Sequence, residues 1–146
     1  MALLRRATAE DAAAIAILHR ATVRAALSFL PELHTAEEDL AFFRGAFLPA
    51  NEVWVAEIDG AIAGYVGFDA QRINHLFVAR DFQGQGLGPA LLAKALADGQ
   101  AKRLWTFQKN ARARKFYEDR GFVLLELTGG AGNEENEPDA LYEWRP

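Results

Sequence analysis

The chain contains no cysteine. That absence excludes a disulfide framework, a thiolate nucleophile and any zinc site built on cysteine. Histidine is scarce too, and His19, His34 and His75 are dispersed without metal-ligand spacing, so no metal is expected. No stretch is long and apolar enough to span a bilayer, and Met1 to Arg6 lack the basic, apolar and small-residue order of a secretory leader. The expectation is a cytoplasmic protein with no membrane partner. A large excess of positive charge is also missing, the net charge being −4 at neutral pH. The one basic run, Lys109 to Arg120, is broken by apolar and acidic residues and reads as the solvated face of one helix. Nucleic acid is therefore not an expected partner.

What is present suits a globular protein: 146 residues, 51% of them apolar, are enough for a buried core, and residues 1–146 are read as a single domain. Thr8 to Asp11 can start a helix in which Ile15, Leu18, Thr22 and Ala25 recur at three- and four-residue intervals, with Arg20 and Arg24 on the other face. Thr35-Ala36-Glu37-Glu38 is a capping box for a second helix, and Gly45 is placed to stop it. Leu30 to His34 must bend between the two. Val53 to Ile58 and Ala61 to Phe68 are β-rich runs joined by Asp59-Gly60, a two-residue hairpin signal. Arg72 to Val78 is a third such run. A glycine-rich turn then leads into a helix carrying Leu87, Leu91, Leu92 and Leu96, and Leu104 to Phe107 follows as a short strand. Asn110 can cap a helix that lines up Ala113, Phe116 and Tyr117 and ends at Gly121. Phe122 to Leu127 and Ala140 to Trp144 are the last strands, with Thr128 to Asp139 a long surface loop between them. A hairpin is antiparallel, whereas strand–helix–strand units need crossovers, so a mixed sheet covered by helices is expected, in the α/β or α+β class.

The stretch with most chemical content is Gln83-Gly84-Gln85-Gly86-Leu87-Gly88, between a strand and a helix. Glycines let backbone N–H groups approach oxygen atoms closely, and a helix N-terminus carries about half a unit of positive charge, so such a loop can cradle phosphates. It can equally be a plain turn. Pro89 stands where a dinucleotide fingerprint wants glycine, and the Gly-Lys-Ser/Thr of nucleotide hydrolases is absent, which weakens both common nucleotide readings.

Two segments together carry a resemblance. His75-Leu76-Phe77-Val78 followed by Gln83 to Gly88 resembles the acetyl-coenzyme A signature [QR]-x-x-G-x-[GA] of the GNAT superfamily of N-acetyltransferases. Asn110 to Phe122 resembles that superfamily's second motif, N-x-x-A-x-x-F-Y-x-x-x-G-F. The order of elements is similar from Arg5 to Trp144. The resemblance implies a mixed, mostly antiparallel sheet of six or seven strands, helices on both faces, and a fourth and fifth strand splayed apart to admit the coenzyme. It also implies that backbone amides of Gln83, Gly84, Gln85, Gly86, Leu87 and Gly88 hold the pyrophosphate of acetyl-CoA, the cosubstrate. Leu76, Phe77 and Val78 would then pair with the pantetheine arm, while Asn110, Phe116 and Tyr117 lie near its far end. The alternative for Leu76, Phe77, Val78 and Phe116 is simple core packing, which their side chains can satisfy while only backbone or one edge serves the ligand.

Acetyl transfer to an amine needs a neutral nitrogen, a donor for the developing oxyanion and a proton for the departing thiolate. By resemblance the donor is a backbone N–H near Leu76, and Tyr117 is the general acid, a phenol of pKa about 10 serving a thiolate whose acid has pKa about 8.5. Tyr117 could instead only pack on the sheet. The base departs from relatives that carry a glutamate on the fourth strand, because Gln71 to His75 offers no carboxylate. His75 is the candidate there, against a purely structural role, a water held by Asn74 or no base at all. The expected acceptor is a small-molecule primary amine, entering beside Leu30 to His34 and the acidic loop Asn133 to Asp139. A protein N-terminus or lysine, and a noncatalytic coenzyme-binding module, are the alternatives. Nothing in the motifs excludes a homodimer.

Overall fold

The computed structural model describes residues 2–146; Met1, where the stretch read above for a leader begins, lies outside them. Among these described residues seven strands form two sheets. The first has the order β1 (Leu3–Arg6), β2 (Glu52–Ile58), β3 (Ala61–Phe68), β4 (Ile73–Val78), all antiparallel. The second has β5 (Lys102–Phe107), β7 (Asp139–Trp144) and β6 (Val123–Thr128), again antiparallel. The β2–β3 hairpin turns at Asp59-Gly60, both with positive φ, as expected from their types. β1 had no signal of its own in the sequence, since Leu-Leu-Arg-Arg neither alternates nor is β-branched. It is held as an edge strand by its ladder to β2 and by Arg5, which pairs with Glu57 (2.8 Å) and Asp11 (2.9 Å).

Helices cover both faces. α1 (Ala12–Ala26) buries Ile15 and Leu18 on one side of the first sheet, against Val53, Val55 and Tyr65, while Thr22, also buried, lines a cleft. Ala25 is exposed, because the last turn of α1 leaves the core where a cleft opens. α4 (Leu87–Leu96) inserts Leu87, Leu91 and Leu92 on the opposite side, in a cluster that also takes Val66, Phe68, Leu104 and Tyr142. α5 (Ala111–Glu118) adds Tyr117 and Phe116 to that cluster and stops before Gly121, whose φ of 88° supplies the left-handed turn.

Gly45 does not end the second helix. α2 (Ala36–Phe42) runs through a π-helical turn at Phe43–Phe47 into the short α3 (Leu48–Ala50). Gly45 keeps an ordinary helical backbone, and the chain ends its helix at Asn51, whose amide donates to the Phe47 carbonyl at 2.9 Å. The π turn carries Phe43 and Phe47 inward, where the tip of the Phe47 ring lies against Gly67 and would clash with any Cβ there. The apolar demand of the sheet thus overrides a local stop signal.

Among the described residues one backbone bridge joins the two sheets. Arg72 and Arg103 form an isolated parallel bridge, and the Arg103 N–H donates to the Gln71 carbonyl at 2.9 Å. Beyond it β4 and β5 belong to different sheets, so the expected splay between the fourth and fifth strands is present. A bulge accompanies it: Phe68 faces Ile73 while Gly67 faces His75, leaving Asn74 as the extra residue. Bulges bend a strand and reverse the sense of its later side chains. Ile73 accordingly packs in the cluster under α4, whereas His75 and Phe77 turn toward α1 and the π turn.

Candidate active site

The open side of β4 borders a cleft of about 400 Å³ lined by α1, β4, the glycine loop and α5. Of the residues picked from sequence, the structure brings Leu76, Phe77, Val78, Gln83, Gly84, Gly86, Leu87, Gly88, Asn110, Phe116 and Tyr117 to this cleft. Gln85 lies in the same loop but outside the lining, and His75 lies behind the strand.

Two features make the cleft suited to a long ligand with a diphosphate. The first is β4's free edge. The Ala79 N–H donates to the Ala63 carbonyl at 2.8 Å, which fixes the alternation of an antiparallel ladder: Phe77 and Ala79 address β3, while Leu76 and Val78 direct N–H and C=O into the cleft. The Gln83 amide already uses one such group, donating to the Val78 carbonyl at 3.2 Å. Unpaired edge groups of this kind accept an extended chain by strand addition.

The second is the loop. Gly84 and Gly86 both have φ of 80°, a left-handed conformation that glycine adopts freely, and Gly86 is the N-cap of α4. Among the described residues, the N–H groups of Gly84, Gln85, Gly86, Leu87 and Gly88 have no protein acceptor. Five free donors therefore lie along the loop and the first turn of a ten-residue helix, at its positive end. Gly88 has a further reason to lack a side chain, since a Cβ would come 3.2 Å from the Phe116 ring.

Sequence reasoning passed over two cations here. Arg112 and Arg120 line the cleft, although their run was read as a solvated face. Arg112 hydrogen-bonds the Gln83 side-chain oxygen, and the Arg120 guanidinium lies 3.9 Å above the Phe116 ring while donating to the Phe116 carbonyl at 3.0 Å. The signal was available: 112, 116 and 120 are spaced by four, so whatever face holds Phe116 holds both arginines.

Tyr117 is 8% exposed, packed edge-on against Phe116 and Phe122. Its hydroxyl has no protein partner among the described residues, and burial pushes the phenol well above its ordinary pKa. It stays protonated at any working pH. Asn110 caps α5, its side-chain oxygen accepting from the Ala113 N–H at 3.2 Å, with its amide nitrogen left over for the cleft. His75 is held differently. Its Nδ1 lies 2.9 Å from the Tyr65 hydroxyl, its ring sits 4.4 Å from that of Phe47 and is stacked on His19 at 5.1 Å. Burial, then the neighbouring His19, pull its pKa to about 3, so it is neutral and a poor proton acceptor.

A second cavity of about 320 Å³ adjoins the first, Leu27 lining both. It is walled by α1, the bend Leu27 to His34, Asp39 and Glu134-Glu135. The bend and the acidic loop are thus neighbours in space. His34 Nε2 lies 3.0 and 3.1 Å from the two Glu134 oxygens, across a hundred residues of chain. Arg20 is tied to Asp39 at 2.6 Å and Arg24 to Glu32 at 2.5 Å, so two arginines face four carboxylates and the cavity carries an excess of negative charge.

Glu134 raises the pKa of His34, by hydrogen bond first and charge second. A raised folded pKa means that the loop-to-loop attraction is fully present below about pH 6.5 and is lost as pH climbs through the raised value. In an NMR titration His34 is expected to titrate above its ordinary position, and Glu134→Gln to return it there; an unmoved His34 would mean the contact does not persist in solution.

Comparison with known proteins defines the family. Residues 49–124 match the family model described as "Acetyltransferase (GNAT) domain". YjaB of Salmonella typhimurium, described as a peptidyl-lysine N-acetyltransferase, is 30% identical over 123 residues, 83% of this chain and 83% of its own length. An uncharacterized N-acetyltransferase of Archaeoglobus fulgidus is 36% identical over 98 residues, 56% of this chain and 66% of its own. The crystal structure of the PaiA N-acetyltransferase from Thermoplasma acidophilum in complex with coenzyme A superposes with a TM-score of 0.80, covering 100% of this chain and 99% of that one at 14% identity, which speaks for the fold. The chain belongs to the GNAT family of N-acetyltransferases, and acetyl-coenzyme A is its cosubstrate. Among the described residues no helix is long and apolar enough to cross a membrane.

Proposed function

We propose that the chain transfers acetyl from acetyl-CoA to a lysine side chain presented by a polypeptide, by direct attack of the amine on the thioester. The observation that carries this reading is the second cavity: Val23, Leu27, Leu30 and Pro31 give it an apolar wall, the four carboxylates give it negative charge, and it reaches the coenzyme cleft at Leu27. An aliphatic arm ending in an ammonium matches that combination. The similarity to a peptidyl-lysine N-acetyltransferase supports the same choice over the small-molecule amine expected from sequence alone.

In this reading the free amides of Gly84 to Gly88, with Arg112 and Arg120, hold the diphosphate, and the edge of β4 pairs with the pantetheine arm. The Leu76 N–H donates to the oxyanion as it forms. The nitrogen–carbon bond forms, the carbon–sulfur bond breaks, and the thiolate takes its proton from the Tyr117 hydroxyl. The test is an assay of acetyl-CoA with lysine-bearing peptides, N-terminal amines and polyamines side by side, read by mass spectrometry. Acetylation at the lysine ε-nitrogen with higher kcat/KM than any free amine is expected; turnover of polyamines alone would contradict the lysine assignment.

A further inference from the structure

A lysine-type ammonium must lose a proton before it attacks, and neither Tyr117, which keeps its own, nor His75, which barely accepts one, can take it. Of the titratable side chains that line the acceptor cavity, one packs its ring on those of His75 and Phe77 in β4. His19, on α1, lines the acceptor cavity beside Arg20, Val23 and Leu27. Its ring meets the Phe77 ring edge-on at 5.0 Å, and Phe77 lines the coenzyme cleft between the two residues of β4 whose backbone faces the ligand.

We propose that His19 accepts the proton of the acceptor ammonium, an inference that rests on the acceptor cavity assigned above. Neither His19 ring nitrogen has a hydrogen-bond partner among the described residues. Neither is sealed from solvent either, because among the described residues only Glu137 Oε2, in the loop before β7, is a buried side-chain nitrogen or oxygen without a hydrogen-bond partner. An imidazole with open nitrogens in a half-buried position is free to exchange protons with a ligand in the cavity and with water at its mouth.

The neighbours fix its charge state. His75, stacked at 5.1 Å from β4, would repel a second imidazolium, so the pair holds at most one proton. Tyr65, from β3, keeps its proton because burial pushes the phenol up, and so it can donate to His75 Nδ1. That bond fixes His75 as the neutral partner and leaves His19 as the member that titrates. From α2, Asp39 favours the imidazolium but is itself tied to Arg20 of α1, while Phe43 and Phe77 contribute only apolar surface. Desolvation is the larger influence and lowers the His19 pKa below 6.5. His19 is then neutral at pH 7 and ready to receive.

The step balances. The ammonium gives one proton to His19, the neutral nitrogen adds to the thioester carbon, and the thiolate leaves with the Tyr117 proton. The amide nitrogen then gives its surplus proton to the Tyr117 phenolate. His19 releases its proton to water, so acetyl-CoA and an ammonium become an acetamide, coenzyme A and one free proton.

The test is His19→Gln assayed from pH 5.5 to 9 with a lysine peptide and with a peptide α-amine, whose reference pKa values are about 10.4 and about 8. Expected are a loss of kcat/KM of about 100-fold for lysine, a smaller loss for the less basic amine, and disappearance of the acid limb that wild type owes to a group titrating below 6.5. Equal losses for both amines with an unchanged pH profile would assign His19 to packing and overturn the proposal. A second measurement needs no variant: in the wild-type protein the His19 imidazole must titrate below 6.5 by NMR, and a value above that would equally overturn it. Should wild type acetylate polyamines and no peptide, the lysine reading fails by itself, and the His19 comparison is read on two polyamines of different basicity.

Discussion

Replacing Gly86 by Asp is expected to weaken coenzyme A binding about 100-fold, while Gly86→Asn weakens it only a few-fold. Nothing lies within 4 Å of where a Cβ would stand at this position, so the cost is not steric. The φ of 80° penalises most residues, but Asn and Asp tolerate the left-handed region best and tolerate it alike. The two variants therefore differ in charge alone. A carboxylate about 5 Å from a diphosphate costs about 3 kcal/mol at an effective dielectric near 20, and each 1.4 kcal/mol is a factor of ten. Calorimetric titration of both variants with coenzyme A reads the difference directly. Equal affinities would mean that the diphosphate sits elsewhere.

Tyr117→Phe is expected to lower kcat about 100-fold while leaving coenzyme affinity within about twofold of wild type, the range usual for loss of one general acid. The stability prediction is as informative. The hydroxyl has no protein partner among the described residues, so its removal strands no donor or acceptor, and the melting temperature should not fall. Since burial holds the phenol well above its ordinary pKa, wild type should also show no alkaline loss of activity from this group up to about pH 10. Undiminished kcat in the phenylalanine variant would assign the ring to packing against Phe122.

What could be read from the sequence was whatever depends on neighbours in the chain. Asp59-Gly60, the Thr35–Glu38 capping box, the Asn110 cap and the Gly121 stop are local chemistry, and each appears where expected. The features that were not legible depend on contacts between distant segments. Gly45 looked like a stop because nothing nearby signals that Phe43 and Phe47 are needed on the sheet, yet their burial there, with Phe47 against Gly67, carries the helix onward. The bulge at Asn74 has no sequence mark, and it decides which way His75 faces.

The same division holds in the site. Glycine spacing pointed to the loop, because its backbone conformation follows from residue type. Arg112 and Arg120 were hidden by an averaged view of a basic run, when their four-residue spacing from Phe116 already put them on its face. His19 could not be singled out at all. It lies on the α1 stripe at a position where a histidine looks like any half-buried helix residue, and only the meeting of α1 with β4 gives it cavity, stacking partner and open nitrogens.

On the proposed function, main-chain donors of residues 84–88 and the free edge of β4 receive the coenzyme. An amide-resolved NMR titration of the folded protein with coenzyme A addresses it in one experiment. The largest shifts are expected at the N–H groups of Gly84, Gly86, Leu87 and Gly88 and of Leu76, with the β2–β3 hairpin at Asp59-Gly60 unmoved. Shifts concentrated on any other surface, with those five amides still, would contradict the account.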